Sequence, residues 1–226
     1  MSPGRILVTA VYLLFWPALM LVLAGDWRWL PGWIVGGWFV AMGATTITWL
    51  ARRDPGLLAE RYRMLGTGGQ SRRGQRIIYL VMVGFVTWIA LMPLDARRFH
   101  WTPPLPLVVG LVGEVFLILS WFFLFRAFAD NPFGSALVRV QTERGHRVIT
   151  TGVYGWVRHP MYLGATLMFV GGPLVTGAAS ALVVGLALVV LLAVRSLDEE
   201  ALLSRELTGY EEYRRRVRYR LVPFVW

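Results

Sequence analysis

The chain has 226 residues, of which 56% are hydrophobic and 16% are charged, and its formal net charge is +10. Soluble domains carry about 25% charged residues, so this composition indicates a protein embedded in a membrane rather than an ordinary soluble domain. There is no cysteine, which excludes disulfides, thiolate metal sites and cysteine nucleophiles. All 23 basic residues are arginines, so a lysine Schiff base is excluded as well.

Apolar stretches long enough to cross a bilayer occur in chain order at 6–24, 29–50, 75–93 and 105–125. Each approaches the roughly 20 residues that an α-helix needs to span the hydrocarbon core. A fifth apolar region, 161–194, is interrupted by glycines and a proline at 171–177. This pattern predicts a helical hairpin with a short arm, 161–173, and a longer arm, 177–194. We therefore expect an all-α integral membrane protein with five to six transmembrane segments.

Arginines are distributed unevenly between the apolar stretches. Seven lie in 51–76, five in 126–158 and seven in 195–226, against one near 25–28 and two in 95–101. The positive-inside rule places the arginine-rich regions and both termini in the cytoplasm. The positions of these arginines fit contact with anionic membrane lipids better than contact with nucleic acid. An arginine-only basic content resembles that of high-GC bacteria, so we expect a multi-pass protein of the bacterial inner membrane.

Two further segments, 53–65 and 209–223, are predicted to be amphipathic helices that lie along the membrane interface. Apolar and aromatic side chains share one face of each segment at helical spacing. These side chains are Leu57, Leu58, Tyr62 and Leu65 in the first segment, and Tyr210, Tyr213 and Val217 in the second. We divide the chain into N-terminal helices, 1–127, with the basic loop 51–76, and a C-terminal core, 128–226.

Polar, aromatic and basic side chains crowd the start of the short arm, in the sequence TTGVYGWVRHPMYLG at 150–164. Gly152 and Gly155 permit tight turns, and Pro160 suits the first turn of a helix. The free backbone donors and the positive dipole end of that helix would then face the cytoplasmic loop. This arrangement predicts a nucleotide-sized pocket. The side chains expected around it are Tyr154, Trp156, Arg158, His159 and Tyr162, although Arg158 and Trp156 also suit a membrane-interface role.

Charged residues within or beside apolar stretches are further candidates. Arg195 and Glu199 are four residues apart and share a helix face. This spacing suits either an intrahelical salt bridge or a pair that offers an arginine to an anionic acceptor and a carboxylate to ribose hydroxyls or an ammonium. Glu114, in the middle of an apolar stretch, is either functional or part of an interhelical hydrogen bond. The three histidines lack metal-ligand spacing, so no metal is expected.

Together these residues resemble isoprenylcysteine carboxyl methyltransferases and related membrane phospholipid methyltransferases. The resemblance rests on 150–164, on the glutamate pair about 35 residues later and on the arginine-rich segment 209–223, and it covers about 128–223. It implies that S-adenosylmethionine binds on the cytosolic side and that its methyl group passes to a lipophilic acceptor, most simply a carboxylate. The implied catalytic residues are Arg195 and Glu199, and those on the acceptor side are Arg195, Asn131 and Glu114. The implied cofactor contacts are Gln141, His146, Arg147, Val148, Ile149, Tyr154, His159, Pro160, Met161, Tyr162 and Glu199.

Three alternatives remain open at this point. An amine acceptor would make the protein a phospholipid N-methyltransferase, which would need a general base because amines arrive protonated. Membrane sterol reductases resemble the same C-terminal region but use NADPH, which would make the protein an oxidoreductase. A membrane adaptor that kept the fold without activity is the third. In each case the expected partners are a lipophilic small molecule or membrane lipids, without nucleic acid or metal.

Overall fold

A computed structural model describes residues 3–61, 72–134 and 140–226, and within these ranges the chain is helical and contains no β-strand. The α-helices are α1 (Pro3–Ala24), α2 (Leu30–Arg53), α3 (Pro55–Arg61), α4 (Arg72–Pro93), α5 (Leu107–Asp130), α6 (Pro160–Thr176), α7 (Ala179–Glu206) and α8 (Tyr210–Arg216). A wider π-helical turn, Leu94–Phe99, continues α4, and short 3-10 turns occur at Thr142–Arg144 and Gly152–Gly155.

Four of the described helices are long and apolar enough to cross a membrane: α2, α4 with its continuation to Phe99, α5 and α7. The apolar segment Val8–Ala24 of α1 and the 17-residue α6 are shorter. A 17-residue helix is about 25 Å long, somewhat less than the roughly 30 Å hydrocarbon core. The all-helical membrane architecture is confirmed for the described part of the chain. The number of spans and the orientation of the termini stay predictions.

The predicted break at 171–177 is much shorter in the structure. Helix α6 continues through Gly171, Gly172 and Pro173 to Thr176, and only Gly177, with a φ of +79°, and the following alanine form the turn. A Cβ at Gly171 would lie 2.9 Å from the carbonyl oxygen of Gly113 on α5, so this glycine permits close helix packing. Pro173 lacks the N–H that would bond to the carbonyl of residue 169, and the indole of Trp88 donates to that carbonyl instead, at 3.0 Å.

Helices α5 and α6 pack in antiparallel directions along most of their length. Ser120 of α5 donates a hydrogen bond to the carbonyl of Gly164 near the start of α6 (2.7 Å), while Gly113 meets Gly171 near the end of α6. The start of α6 therefore lies beside the end of α5. The end of α2 and the start of α4 carry arginine pairs, and Arg126 lies near the end of α5. We call the side of the bundle that holds the start of α6 and the end of α5 the arginine-rich end.

At the other end of α6 and α7, the carboxylate of Asp95 lies fully buried beside the start of α7. Its Oδ2 accepts hydrogen bonds from the backbone N–H (3.0 Å) and hydroxyl (2.6 Å) of Ser180. Thr102 donates its backbone N–H to Oδ1 (2.7 Å) and its hydroxyl to Oδ2 (2.8 Å). One carboxylate from the turn after α4 thus satisfies a free backbone donor in the first turn of α7 and fixes the following loop.

Replacing Asp95 with alanine is expected to lower the free energy of unfolding by about 2–4 kcal/mol, because four donors lose a charged acceptor in a buried site. The measurement is thermal or denaturant unfolding of the detergent-purified protein. Asp26→Ala is the matched control, since Asp26 is partly exposed and forms an ion pair with Arg97. The control should cost about 1 kcal/mol or less. Equal losses in the two variants would contradict the capping role of Asp95.

The two predicted amphipathic helices use their apolar faces within the protein. Leu57 and Leu58 of α3 are buried in a cluster with Leu50, against which Phe128 of α5 packs. The tyrosines of α8 are buried in a second cluster with Leu207 and Val217. These faces therefore contact the helix bundle, which differs from the predicted contact with the membrane interface. Tyr62 and Leu65, the remaining residues of the first predicted face, lie outside the described residues.

Candidate active site

An open cleft with about 770 Å³ of empty space lies at the arginine-rich end, beside the start of α6. This volume includes the solvent-open mouth of the cleft, so the enclosed part is smaller. Three parts of the chain line it: the segment after α5, the segment that leads into α6, and the α7–α8 region. The lining residues are Asn131, Phe133, Gly134, His146, Arg147, Val148, Ile149, Tyr154, Arg158, His159, Pro160, Met161, Tyr162, Glu199, Leu203, Leu207, Tyr210 and Tyr213.

Most of the residues implied by the family resemblance meet in this cleft. Of the eleven implied cofactor residues, all but Gln141 line it, and so does Asn131 from the implied acceptor set. Their roles stay predictions, but the structure brings together residues from three distant parts of the sequence. Gln141, Arg195 and Glu114 are not among the lining residues.

The loop before α6 is held in place by a contact that only glycine permits. Gly152 has a φ of +60°, and a Cβ on it would overlap the carboxylate of Asp130 at the end of α5. That carboxylate accepts a hydrogen bond from the backbone N–H of Val153 (2.9 Å) and pairs with Arg126 (2.8 Å). The glycine therefore lets the loop approach the end of α5 and bring Tyr154 to the cleft.

The first turn of α6 places aromatic and charged groups against α7. The ring of His159 stacks on that of Tyr162, with centroids 5.4 Å apart and planes 3° from parallel. The Tyr162 hydroxyl donates to Oε2 of Glu199 at 2.8 Å and accepts from Nε of Arg195 at 3.1 Å. Arg195 and Glu199 therefore both hydrogen-bond to the Tyr162 hydroxyl from one face of α7. The spacing of the two residues in the sequence predicts this shared face.

Gln141 lies outside the lining of the cleft, so its implied contact with the cofactor stays a prediction. Its side chain is fully buried, and its amide donates to the carbonyl of Phe133 at 2.7 Å and accepts from Arg144 at 2.7 Å. Its backbone N–H donates to Nδ1 of His146 at 3.2 Å. Gln141 thus joins the two loop segments that carry Phe133 and His146, whose rings stack with centroids 4.6 Å apart. It shapes the wall of the cleft from behind.

Arg195 and Glu114 lie at different distances from the cleft. Arg195 is buried behind it, in contact with Tyr162 and one helical turn before Glu199. Glu114 follows Gly113, which packs against Gly171 in α6. Gly171 is eleven residues after Pro160, or about 16 Å along the helix axis. The structure therefore does not bring Glu114 to the cleft.

Glu200 was not identified from the sequence as a site residue, although two arginines and one histidine contact its carboxylate. It is 3% exposed, and its oxygens lie 2.7 Å from Nε of Arg158, 2.9 Å from Nη2 of Arg220 and 3.1 Å from Nε2 of His159. Arg158 is therefore buried in an ion pair rather than placed at the membrane interface. The sequence signal was the second glutamate of the pair at 199–200, but its partners are 20 to 42 residues away.

The tyrosines of α8 supply neutral hydrogen-bonding groups to the cleft. Burial is the main cause that raises the pKa of Tyr210 above its usual range, and the negative charge of Glu200 raises that pKa further. Burial likewise raises the pKa of Tyr213, whose hydroxyl donates to the carbonyl of Tyr154 at 2.8 Å. Both hydroxyls therefore stay protonated at neutral pH. Within the described ranges, no three histidine, cysteine, aspartate or glutamate side chains form a group that could hold a metal ion.

Residues 114–205 match the model of the isoprenylcysteine carboxyl methyltransferase (ICMT) family. This region belongs to the ICMT family. The resemblance predicted from the sequence is thereby confirmed, and the ICMT-family region contains the start of α6, Arg195 and the glutamate pair at 199–200.

The fold of a solved ICMT agrees with this assignment. The chain resembles the eukaryotic intramembrane Ras methyltransferase ICMT, determined without a monobody, with a TM-score of 0.59 and 21% sequence identity. The likeness covers 96% of this chain and 76% of that one. At this identity it shows that the two proteins share a fold.

The chain also resembles parts of longer curated proteins. It is 25% identical over 162 residues to the Delta(14)-sterol reductase TM7SF2 of Mus musculus, covering 66% of this chain and 39% of that protein. It is 30% identical over 97 residues to the Delta(14)-sterol reductase ERG24B of Gibberella zeae, covering 38% of this chain and 20% of that protein. It is 26% identical over 130 residues to the lamin-B receptor of Drosophila melanogaster, covering 54% of this chain and 18% of that protein. The chain thus spans less than half the length of each of these relatives.

Proposed function

We propose that the protein is a membrane methyltransferase that uses S-adenosylmethionine and methylates a carboxylate on a lipophilic acceptor. The observation that carries this proposal is the coupling of Glu199, which lines the cleft, to the buried Arg195 through the hydroxyl of Tyr162. A carboxylate for the cofactor and a guanidinium for an anionic acceptor thus lie on one face of α7, inside the ICMT-family region.

The cleft residues suit S-adenosylmethionine by charge and by ring content. Tyr154, Tyr162 and Phe133 line the cleft, and aromatic rings suit a cationic sulfonium better than a neutral thioether. The carboxylate of Glu199 suits an ammonium group or ribose hydroxyls, and Arg147 and the start of α6 suit a carboxylate. When bound, the cofactor supplies a methyl group that is already electrophilic. The protein therefore has mainly to position the two reactants and exclude water.

A carboxylate acceptor requires the least chemistry from the protein. Its reference pKa is about 4, so it is ionised at neutral pH and attacks without a general base. Arg195 would bind it in fork geometry and orient one oxygen toward the cleft. An amine acceptor, as in a phospholipid N-methyltransferase, would first have to lose a proton to a base.

The arginine distribution supports a cytoplasmic cleft. We propose that the arginine-rich end faces the cytoplasm of a bacterial inner membrane, where a charged soluble cofactor enters directly and a lipophilic acceptor approaches from the bilayer. Residues 1–127 would then form the N-terminal helices and 128–226 the methyltransferase core. The six apolar helices would give five or six membrane segments, depending on whether the α6–α7 hairpin counts as one or two, with both termini in the cytoplasm.

Calorimetric titration of the detergent-purified protein with S-adenosylhomocysteine and with NADPH tests the cofactor. We expect S-adenosylhomocysteine to bind and NADPH not to bind. The sterol reductases among the relatives make NADPH the strongest competing cofactor. Tight NADPH binding without S-adenosylhomocysteine binding would overturn the proposal in favour of a reductase, and binding of neither would favour a membrane adaptor.

The methylated group is tested with labelled S-adenosylmethionine and two acceptors, N-acetyl-S-farnesylcysteine and phosphatidylethanolamine. A methyl ester releases labelled methanol in alkali, whereas an N-methyl group stays bound. We expect base-labile label on the carboxylate acceptor. Base-stable label on phosphatidylethanolamine alone would show that the acceptor is an amine.

A further inference from the structure

We propose that Glu200 is a positioning residue of the cofactor site. In this role it fixes the ring orientation and tautomer of His159 and fastens residues 217–221 to the start of α6. The inference rests on the proposed function, because a bound cofactor is what the positioned histidine and the fastened segment would serve.

Adjacent positions give the two glutamates different roles. Successive helix residues point about 100° apart. Glu199 lines the cleft and is 28% exposed at its side chain, whereas Glu200 is nearly inaccessible and does not line the cleft. A carboxylate in such a site is costly unless it is paired and hydrogen-bonded. Glu200 meets this condition through Arg158 and Arg220, which lie on separate segments, and through its hydrogen bond with the ring of His159.

The bond to His159 determines which ring nitrogen carries a proton. Oε1 of Glu200 lies 3.1 Å from Nε2 of His159. Because an ionised carboxylate only accepts hydrogen bonds, Nε2 must be the donor. The same bond holds the ring parallel to Tyr162 and leaves Nδ1 on the side of Glu199, 3.8 Å from its Oε2. A carboxylate that orients a functional imidazole through its second nitrogen is a common arrangement in protein sites.

The partners of Glu200 also hold the segment 217–221 in place. The backbone N–H groups of Arg158 and His159 donate to the carbonyls of Tyr219 (2.9 Å) and Arg220 (3.0 Å). The guanidinium of Arg158 donates in addition to the carbonyls of Val217 (2.8 Å) and Arg218 (2.7 Å).

Arg220 completes the arrangement from the segment's own side. Its guanidinium pairs with Glu200 and lies 4.5 Å from the centre of the Trp226 ring. Glu200 thus compensates two buried or half-buried arginines that would otherwise repel each other. Loss of its charge should loosen both His159 and the segment that follows the α8 wall of the cleft.

Glu200→Gln tests this role because it removes the charge while keeping the size of the side chain. We expect the affinity for S-adenosylhomocysteine to fall about tenfold, at the lower end of the losses seen when an orienting partner is removed. Glu206→Gln, at the exposed end of the same helix, is the matched control and should bind as the wild type does.

The decisive readout is the ¹⁵N spectrum of histidine-labelled, ligand-free protein. The chain has three histidines, and His159→Gln identifies the signals of His159. Wild-type protein should show a protonated Nε2, and Glu200→Gln should shift these signals toward a tautomer mixture. A wild-type His159 protonated only at Nδ1, or unchanged signals in Glu200→Gln, would overturn the proposal. The spectrum requires no cofactor, so its result is independent of whether S-adenosylhomocysteine binds. The wild-type spectrum alone still tests which nitrogen of His159 is protonated, even if the variant fails to fold.

Discussion

Replacing Glu199 with alanine should lower the affinity of the purified protein for S-adenosylhomocysteine by roughly 30- to 140-fold. Glu199 is the carboxylate of α7 that lines the cleft, and it accepts a hydrogen bond from Tyr162. Loss of a charged hydrogen-bond partner costs about 2–3 kcal/mol, which corresponds to that change in affinity. Calorimetric titration in detergent measures it directly.

The matched control is Glu206→Ala, which removes an exposed glutamate of the same helix seven residues further on. It should leave the affinity unchanged, and thermal unfolding should show that both variants remain folded. Glu199→Gln should give an intermediate loss, since the amide still accepts a hydrogen bond but carries no charge. If Glu199→Ala binds S-adenosylhomocysteine like the wild type, then Glu199 does not hold the cofactor.

Replacing Arg195 with alanine should reduce turnover about 100- to 1,000-fold, as expected when an electrostatic contact to the reacting group is lost. The affinity for S-adenosylhomocysteine should change by less than about threefold, because Arg195 lies behind the residues that line the cleft, in contact with Tyr162. The measurements are methyl transfer from labelled S-adenosylmethionine to N-acetyl-S-farnesylcysteine and calorimetric binding of S-adenosylhomocysteine.

Two further variants test whether the charge of Arg195 or its bidentate binding matters, and whether the effect is specific to this arginine. Arg195→Lys keeps the charge but loses bidentate binding, so it should recover only part of the turnover. Arg205→Ala removes an exposed arginine of the same helix that bonds to the carbonyl of Ala201, and it should keep full turnover. Equal losses of cofactor affinity and turnover in Arg195→Ala would show that Arg195 supports the cofactor site rather than the acceptor.

The break predicted at 171–177 illustrates a limit of local patterns. Glycine and proline mark turns, but in a membrane helix glycine also permits close packing, and a neighbouring donor can replace the missing N–H of proline. Gly171 meets Gly113, and the indole of Trp88 donates to the carbonyl left free by Pro173. Both partners lie on other helices, so a reading of the segment alone could not distinguish a turn from a packed helix.

Gln141 and Glu200 show the same limit in the candidate site. The family resemblance placed Gln141 among the cofactor contacts, whereas its amide bonds to Phe133 and Arg144 outside the cleft lining. The adjacent glutamates 199 and 200 are chemically identical in the sequence. Only the rotation of α7 and the positions of Arg158 and Arg220 give one of them the cleft and the other a buried ionic cluster.

By itself, the sequence determined that the chain is a helical membrane protein, where its apolar helices begin, and that 150–164 and the 195–199 face carry the candidate chemistry. These are local properties, set by apolar length, by helical spacing and by short motifs. Only the tertiary structure decided that Tyr162 meets Glu199 across 37 positions and that Arg158 meets Glu200 across 42. It also decided that Glu114 stays away from the cleft and that the faces of α3 and α8 pack on the bundle. Such contacts depend on how helices pack in three dimensions, which no local pattern of residues encodes.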